Sequence, residues 1–166
     1  MKVINIHKRD IARPKVELER LFRTLATDND LMLATEKWSP MKLDKGLIVG
    51  SKGGHGPIKY FVAEFQSDKS VTFQFDLSGF DGFHKFELSE IGENATELKH
   101  TIDMTTTGAA TIKWILAVRW LHDAYIEDAF DKVENHFVDD KKVSPWNLWV
   151  KILRKAMKPK RNPSTL

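Results

Sequence analysis

From Gly46 onward, apolar and polar residues alternate with period two in five segments, Leu47 to Lys52, Ile58 to Phe65, Ser70 to Leu77, Phe83 to Ile91 and Thr96 to Met104. Such alternation puts successive side chains on opposite faces of a sheet. Asp68, Ser78-Gly79, Asp81-Gly82 and Gly92-Glu93-Asn94 separate the segments with residues that favour turns. Connections this short pair neighbouring strands antiparallel. Val3 to Arg9 supplies a further strand, which makes six with the five above.

Elsewhere the period lengthens. Pro14 suits the first position of a helix on which Leu18, Leu21, Phe22 and Leu25 share a face, and Thr27 to Leu33 predicts a short second helix with Asp28 near its start. Trp38-Ser39-Pro40-Met41 then forms a stiff link into the sheet. Thr111 to Phe137 is plainly helical, which rules out an all-β chain. Ile112, Ile115, Ile126, Phe130, Val133 and Phe137 make its core stripe, with Arg119, His122 and Asp123 inside it, and Ile115, Ile126 and Phe130 are expected to face the sheet. Trp114, Leu121 and Tyr125 make the back of this helix too apolar for solvent. In the tail, Ser144 and Pro145 suit N-cap and N1. Trp146, Trp149, Val150, Leu153 and Met157 form a second apolar stripe there, opposite Lys151, Arg154, Lys155 and Lys158. From Pro159 the chain reads as disordered.

With 166 residues and 42% hydrophobic side chains the chain can bury one compact core. It has no cysteine, which excludes disulfides, thiolate nucleophiles and thiolate-bound metals. With no targeting leader or long apolar run in view, a cytoplasmic protein is expected. The net charge of +3 is uneven: residues 1–138 carry 18 Lys and Arg against 21 Asp and Glu, whereas 139–166 carry 8 against 2. The chain therefore divides into a domain over 1–138 and a basic amphipathic extension over 139–166. The basicity belongs to the extension and argues little for nucleic acid. Exposed strand positions such as Lys85, Glu87 and Glu97 mix signs, which is not the aromatic platform on a basic stripe that binds RNA.

The order of strand, two short helices, antiparallel strands and long C-terminal helix over residues 1–138 resembles the START-like (SRPBCC) superfamily. This is the helix-grip fold of birch-pollen-allergen type proteins, steroidogenic lipid-transfer domains and small polyketide cyclases. Trp38-Ser39-Pro40-Met41-Lys42-Leu43-Asp44, Gly53 to Tyr60, Gly82-Phe83-His84-Lys85-Phe86-Glu87 and Leu121 to Glu134 are similar to a functionally uncharacterised bacterial subgroup. The resemblance implies an α+β helix-grip fold, a curved antiparallel sheet wrapped around the long helix with a cavity between them for a hydrophobic or amphipathic small molecule; the extra basic helix beyond about Val138 lies outside the family's usual core. Carriers, sensors and enzymes share such scaffolds, so the fold does not settle the function.

His84 alternates with Phe86 and Leu88, and His100 with Leu98, Ile102 and Met104, so both point inward if those neighbours do. Together with His122 and Asp123 from the long helix they are the candidate catalytic residues, since imidazole beside carboxylate is an acid–base pair. Such a pair could serve a polyketide cyclase or dehydratase. The plainer alternative is core histidines satisfied by hydrogen bonds and a structural Arg119–Asp123 ion pair one helical turn apart. Trp38, Met41, His55, Tyr60, His84, His100, Arg119 and His122 are the candidate ligand-binding residues. Imidazole and carboxylate also suit zinc, iron or copper, but no HxH or HxxxH pair is present, and neither a metal nor a cofactor is expected. Gly53 to Pro57 lacks the spacing of a phosphate-binding loop and reads as a bend in the sheet. Binding or carriage of a lipid- or polyketide-like molecule is thus the leading function. A peripheral membrane lipid-binding protein using Trp146, Trp149, Lys151, Arg154 and Lys155, and a homodimer, are further ways to cover the tail stripe, beside its docking on the domain.

Overall fold

A computed structural model describes residues 1–157, so Lys158 and the stretch from Pro159 lie outside the described residues. Strands β1 (Lys2–Ile11), β2 (Lys42–Leu43), β3 (Lys52–His55), β4 (Ile58–Gln66), β5 (Ser70–Phe75), β6 (Phe80–Gly92) and β7 (Ala95–Thr106) form one antiparallel sheet in the order β1-β7-β6-β5-β4-β3-β2. Helix α1 (Lys15–Phe22) follows β1. The long helix consists of α2 (Ala109–Lys113), a π turn (Trp114–Val118) and α3 (Arg119–Asn135), and the chain continues to α4 (Leu148–Met157). The described residues include no helix long and apolar enough to cross a membrane.

Seven strands replace the expected six because Leu47 to Lys52 is not a strand, whereas Lys42–Leu43 and Lys52–His55 are. Asp44 accepts Ser51 Oγ at 2.9 Å and the Lys52 N–H at 2.8 Å, and this holds residues 44–51 as a loop between β2 and β3. The Gly-rich run is itself β3. A Cβ on Gly53 would stand 1.8 Å from the Lys42 carbonyl oxygen, so only glycine lets β2 approach. Gly56 and Pro57 make the two-residue turn from His55 to Ile58, with Gly56 at φ +54, the first-position glycine that tight hairpins favour. Nor does a helix form over Thr27 to Leu33. Ala26 takes a left-handed φ of +62, and the Asp30 carboxylate accepts the backbone N–H groups of Ala26, Met32 and Leu33 at 2.8 to 2.9 Å. The aspartate ties a loop instead of capping a helix.

The π turn changes which side of the long helix meets the sheet. Ile126, Phe130 and Val133 are buried as expected, but Ile112 and Ile115 are 61% and 49% exposed, and Trp114, expected on the back, is buried. One extra residue in the turn rotates everything before it by about 100° relative to α3. Trp114 then shares a face with Ile126, and Ile115 is turned outward. Two apolar clusters result. The larger joins α1 and α3 to β4–β7 through residues such as Leu18, Phe22, Phe73, Leu98 and Phe130, and the smaller joins Trp114 and Ala110 to Val3, Phe80, Ile102 and Met104.

The tail packs on α3. Asp128, whose side chain has no solvent exposure, accepts Lys37 Nζ at 2.5 Å and the indole N–H groups of Trp38 and Trp146, both at 2.8 Å. One buried carboxylate thus anchors both the link and the tail. Ser144 and Pro145 do not begin the tail helix. Ser144 bonds Asp131, and Asn147 caps α4 by accepting the Val150 N–H at 2.9 Å. Arg154, expected on the outer face, stacks over Trp38 at 4.2 Å, because it stands one turn beyond buried Val150.

Candidate functional site

Between the two clusters lies a cavity of about 330 Å³, walled by the concave face of the sheet, the π turn, the start of α3 and the hairpin at Gly56. Its lining is mainly apolar, with Trp38, Met41, Phe75, Phe80, Phe86, Ile102, Met104, Trp114, Leu121 and Ile126 contributing. Lys113, Arg154 and Met157 complete its edge, so the tail helps to enclose the cavity. Strand alternation brings His84 and His100 to the concave side, and α3 brings His122 to them.

The histidines form a continuous row. The rings of His122 and His100 are 5.0 Å apart, those of His100 and His84 are 5.5 Å apart, and His100 Nε2 lies 3.3 Å from His84 Nδ1. One nitrogen of that pair donates and the other accepts, so each ring can be neutral. Tyr60 meets His84 edge-on, and its hydroxyl lies 3.1 Å from His55 Nδ1. His55 in turn stacks on Tyr125 at 4.9 Å. Burial pulls His84, His100 and His122 below the ordinary imidazole range, and burial next to His122 brings His55 down to about 4. These rings are therefore neutral at pH 7. His84 Nε2, His100 Nδ1, both nitrogens of His122 and the Tyr125 hydroxyl are buried without a hydrogen-bond partner among the described residues.

A polar cluster adjoins this row on β1 and the solvent side of α3. His7 Nδ1 lies 2.7 Å from Glu127 and Nε2 lies 3.2 Å from Asp123 Oδ1, and Asn5 donates to the same Asp123 oxygen at 2.9 Å. Arg9 binds Glu127, Asp131 and Glu134. Burial works against a charged His7, but the two carboxylates outweigh it and hold its pKa up at about 9. Burial likewise opposes ionisation of Asp123, yet the nearby His122 ring at 3.5 Å and the hydrogen bonds to His7 and Asn5 keep its carboxyl well below the usual range.

Of the residues singled out in the sequence, Trp38, Met41, His55, His84, His100 and His122 line the cavity. Tyr60 is buried behind His84 and His55. Arg119 is not in the lining. Its half-exposed side chain stacks on Trp120 at 4.9 Å and lies 3.9 Å from Asp123. Asp123 belongs to the outer cluster, 3.5 Å from His122 Nδ1. Sequence reading missed Asn5, His7 and Arg9. Alternation from Val3 to Ile11 sets these three on the buried face, but Ile4 and Ile6 mark the opposite face as the apolar one, and they are 63% and 53% exposed.

No protein-family model matches the chain, and no curated protein matches it in sequence. Solved structures do. The norcoclaurine synthase of Thalictrum flavum, in complex with dopamine and hydroxybenzaldehyde, is 11% identical with a TM-score of 0.62, over 86% of this chain and 90% of that one. CalU16 from Micromonospora echinospora is 15% identical with a TM-score of 0.55, over 94% and 91%. EF2215 from Enterococcus faecalis, a conserved protein of unknown function, is 12% identical with a TM-score of 0.58, over 93% and 82%. At these identities the likeness speaks for the fold. With the curved seven-stranded antiparallel sheet and the long helix across it, the chain has the α+β helix-grip architecture.

Proposed function

We propose that the protein binds and carries a hydrophobic or amphipathic small molecule in the cavity between the sheet and the long helix, as a START-like protein of the uncharacterised bacterial subgroup. The observation that carries this reading is an apolar cavity of about 330 Å³ whose wall contains unpartnered polar atoms of His84, His100, His122 and Tyr125. The volume falls in the range of about 300–1,000 Å³ typical of small-molecule sites. A buried polar atom without a partner costs about 1–3 kcal/mol, and side-chain rotation about a soft terminal torsion can offer it to a bound oxygen. The ligand that fits is an apolar body bearing one or a few carbonyl or hydroxyl groups, with any acidic end beside Lys113 and Arg154.

A cyclase or dehydratase is the second reading, favoured by the facing imidazoles of His84 and His100. Their lowered proton affinity makes both weak bases at neutral pH, and the ideal catalytic pKa lies near the working pH. Carriage therefore ranks above catalysis. Native mass spectrometry of protein purified from its host tests this. Retention of a lipid- or polyketide-like mass is expected, with loss of that mass from a folded Leu121→Trp variant that fills the cavity. Wild-type protein without a retained mass, and without affinity for fatty acids or aromatic polyketides, would refute carriage.

A further inference from the structure

We infer that His7, His122 and Asp123 form a binding site for a divalent transition metal, zinc first among them. Two elements of the fold converge here: β1 supplies His7, and two successive residues of α3 supply His122 and Asp123. Single ligand atoms from the three side chains all lie within 4.8 Å of one another. Two of the separations, His7 Nε2 to Asp123 Oδ1 at 3.2 Å and His122 Nδ1 to Asp123 Oδ1 at 3.5 Å, are already the edges of a coordination tetrahedron. Zinc bonds of about 2.0–2.2 Å to nitrogen and oxygen place neighbouring ligands about 3.3–3.5 Å apart.

The surroundings suit metal ligation. A metal-bound histidine normally donates its other ring N–H to a carboxylate, which fixes the tautomer and turns the bare nitrogen to the ion. His7 has that arrangement: Nδ1 faces Glu127 at 2.7 Å, Glu127 is held by Arg9 at 2.9 Å, and Nε2 is left toward Asp123. Asn5 steadies Asp123 at 2.9 Å. His122 Nδ1 is buried and without a hydrogen-bond partner, and its lone pair can coordinate the ion. Two imidazoles and one carboxylate leave a fourth position for water, and this donor set suits zinc or ferrous iron over magnesium or calcium. The inference does not depend on what the cavity carries. The alternative for the same atoms is an ion pair alone, with His7 between two carboxylates.

Calorimetric titration of the full chain with zinc chloride at pH 7, after chelator treatment, separates the two. One equivalent is expected to bind at micromolar affinity or tighter. His7→Gln and Asp123→Asn should weaken it at least a hundredfold, Glu127→Gln about tenfold, and His136→Gln, an exposed histidine outside the cluster, not at all. Cobalt(II) added to the wild-type chain should give the visible absorption of a tetrahedral site, a readout that needs no variant to fold. Absence of both stoichiometric zinc uptake and the cobalt bands, or zinc binding equal in wild type and His7→Gln, would overturn the site and leave the ion pair.

Discussion

His84 is a base kept neutral by its surroundings. It is 5% exposed, stacks on Phe73 at 4.8 Å, meets Tyr60 edge-on and, among the described residues, has only His100 as a hydrogen-bond partner. An unfolded histidine takes up a proton near pH 6.5, whereas folded His84 titrates well below that value and His55 at about 4. Below 6.5 the unfolded chain therefore binds more protons than the folded one. The stability that these rings contribute is complete above about pH 6.5 and is lost as the pH falls toward 4, by up to about 1.4 kcal/mol per pH unit for each buried ring. In chelator-containing buffer the denaturation midpoint should drop between pH 7 and 5, and His84→Gln, which keeps a hydrogen-bonding side chain but cannot titrate, should flatten that slope. An unaltered slope in the variant would mean that His84 is charged in the native state. At this scale the inward direction of His84 and His100 was legible, because each alternates with apolar neighbours that must be buried. The orientation of His7 was not, because Ile4 and Ile6 on the exposed face of the edge strand β1 invert the usual apolar signal.

Elements differ from the sequence pattern where one local interaction outweighs it. A stripe of isoleucines assigned Ile112 and Ile115 to the core under an unbroken 3.6-residue period. The π turn at Trp114–Val118 adds a residue that no period reveals, and burial of the large Trp114 indole among Val3, Phe80, Ile102 and Met104 is the compensation. The turn also places Ala117 and Val118 on the cavity wall, so the irregularity shapes the site. Deleting Ile115 should restore a regular helix and swing Trp114 out of its cluster. We expect a loss of about 3–5 kcal/mol by urea denaturation, as for removal of a core tryptophan, whereas Ile115→Ala, at an exposed position, should stay within about 0.5 kcal/mol. Equal stability of the deletion and the wild type would show that Trp114 contributes little. The Asp30 and Asp44 loops were hidden for a related reason. Their carboxylates bond to backbone groups up to eight residues away, and neither spacing nor propensity encodes such closure.

Across the whole molecule the tail is the element with two competing partners, the domain on which it packs and a membrane surface. Part of its apolar stripe was legible, with Val150 buried and Trp149 and Met157 left exposed, but the surface it docks on was not: Trp114, Leu121 and Tyr125, expected on an uncovered back of the long helix, face the cavity instead, and the joint depends on a buried carboxylate. Asp128 receives Trp146 together with Trp38 and Lys37, while Asp131 receives Ser144, Val150 is buried and Arg154 covers Trp38. A membrane would have to release these contacts or make do with what they leave outside. That remainder is Leu148, Trp149, Ile152 and Met157 beside Ile112, Ile115 and Leu116, with Lys151 and Lys155 also exposed. Docking on the domain is intramolecular, so its effective concentration is high and independent of lipid. A chain ending at Asp139 should therefore melt several degrees lower than the full chain, with Asp128 stripped of one of its indole donors and the cavity opened where Arg154 and Met157 stood. Neither chain should co-sediment with vesicles containing anionic lipid at physiological salt. Vesicle binding that disappears with the tail, together with an unchanged melting temperature, would make the tail a membrane anchor and the docked arrangement its resting state.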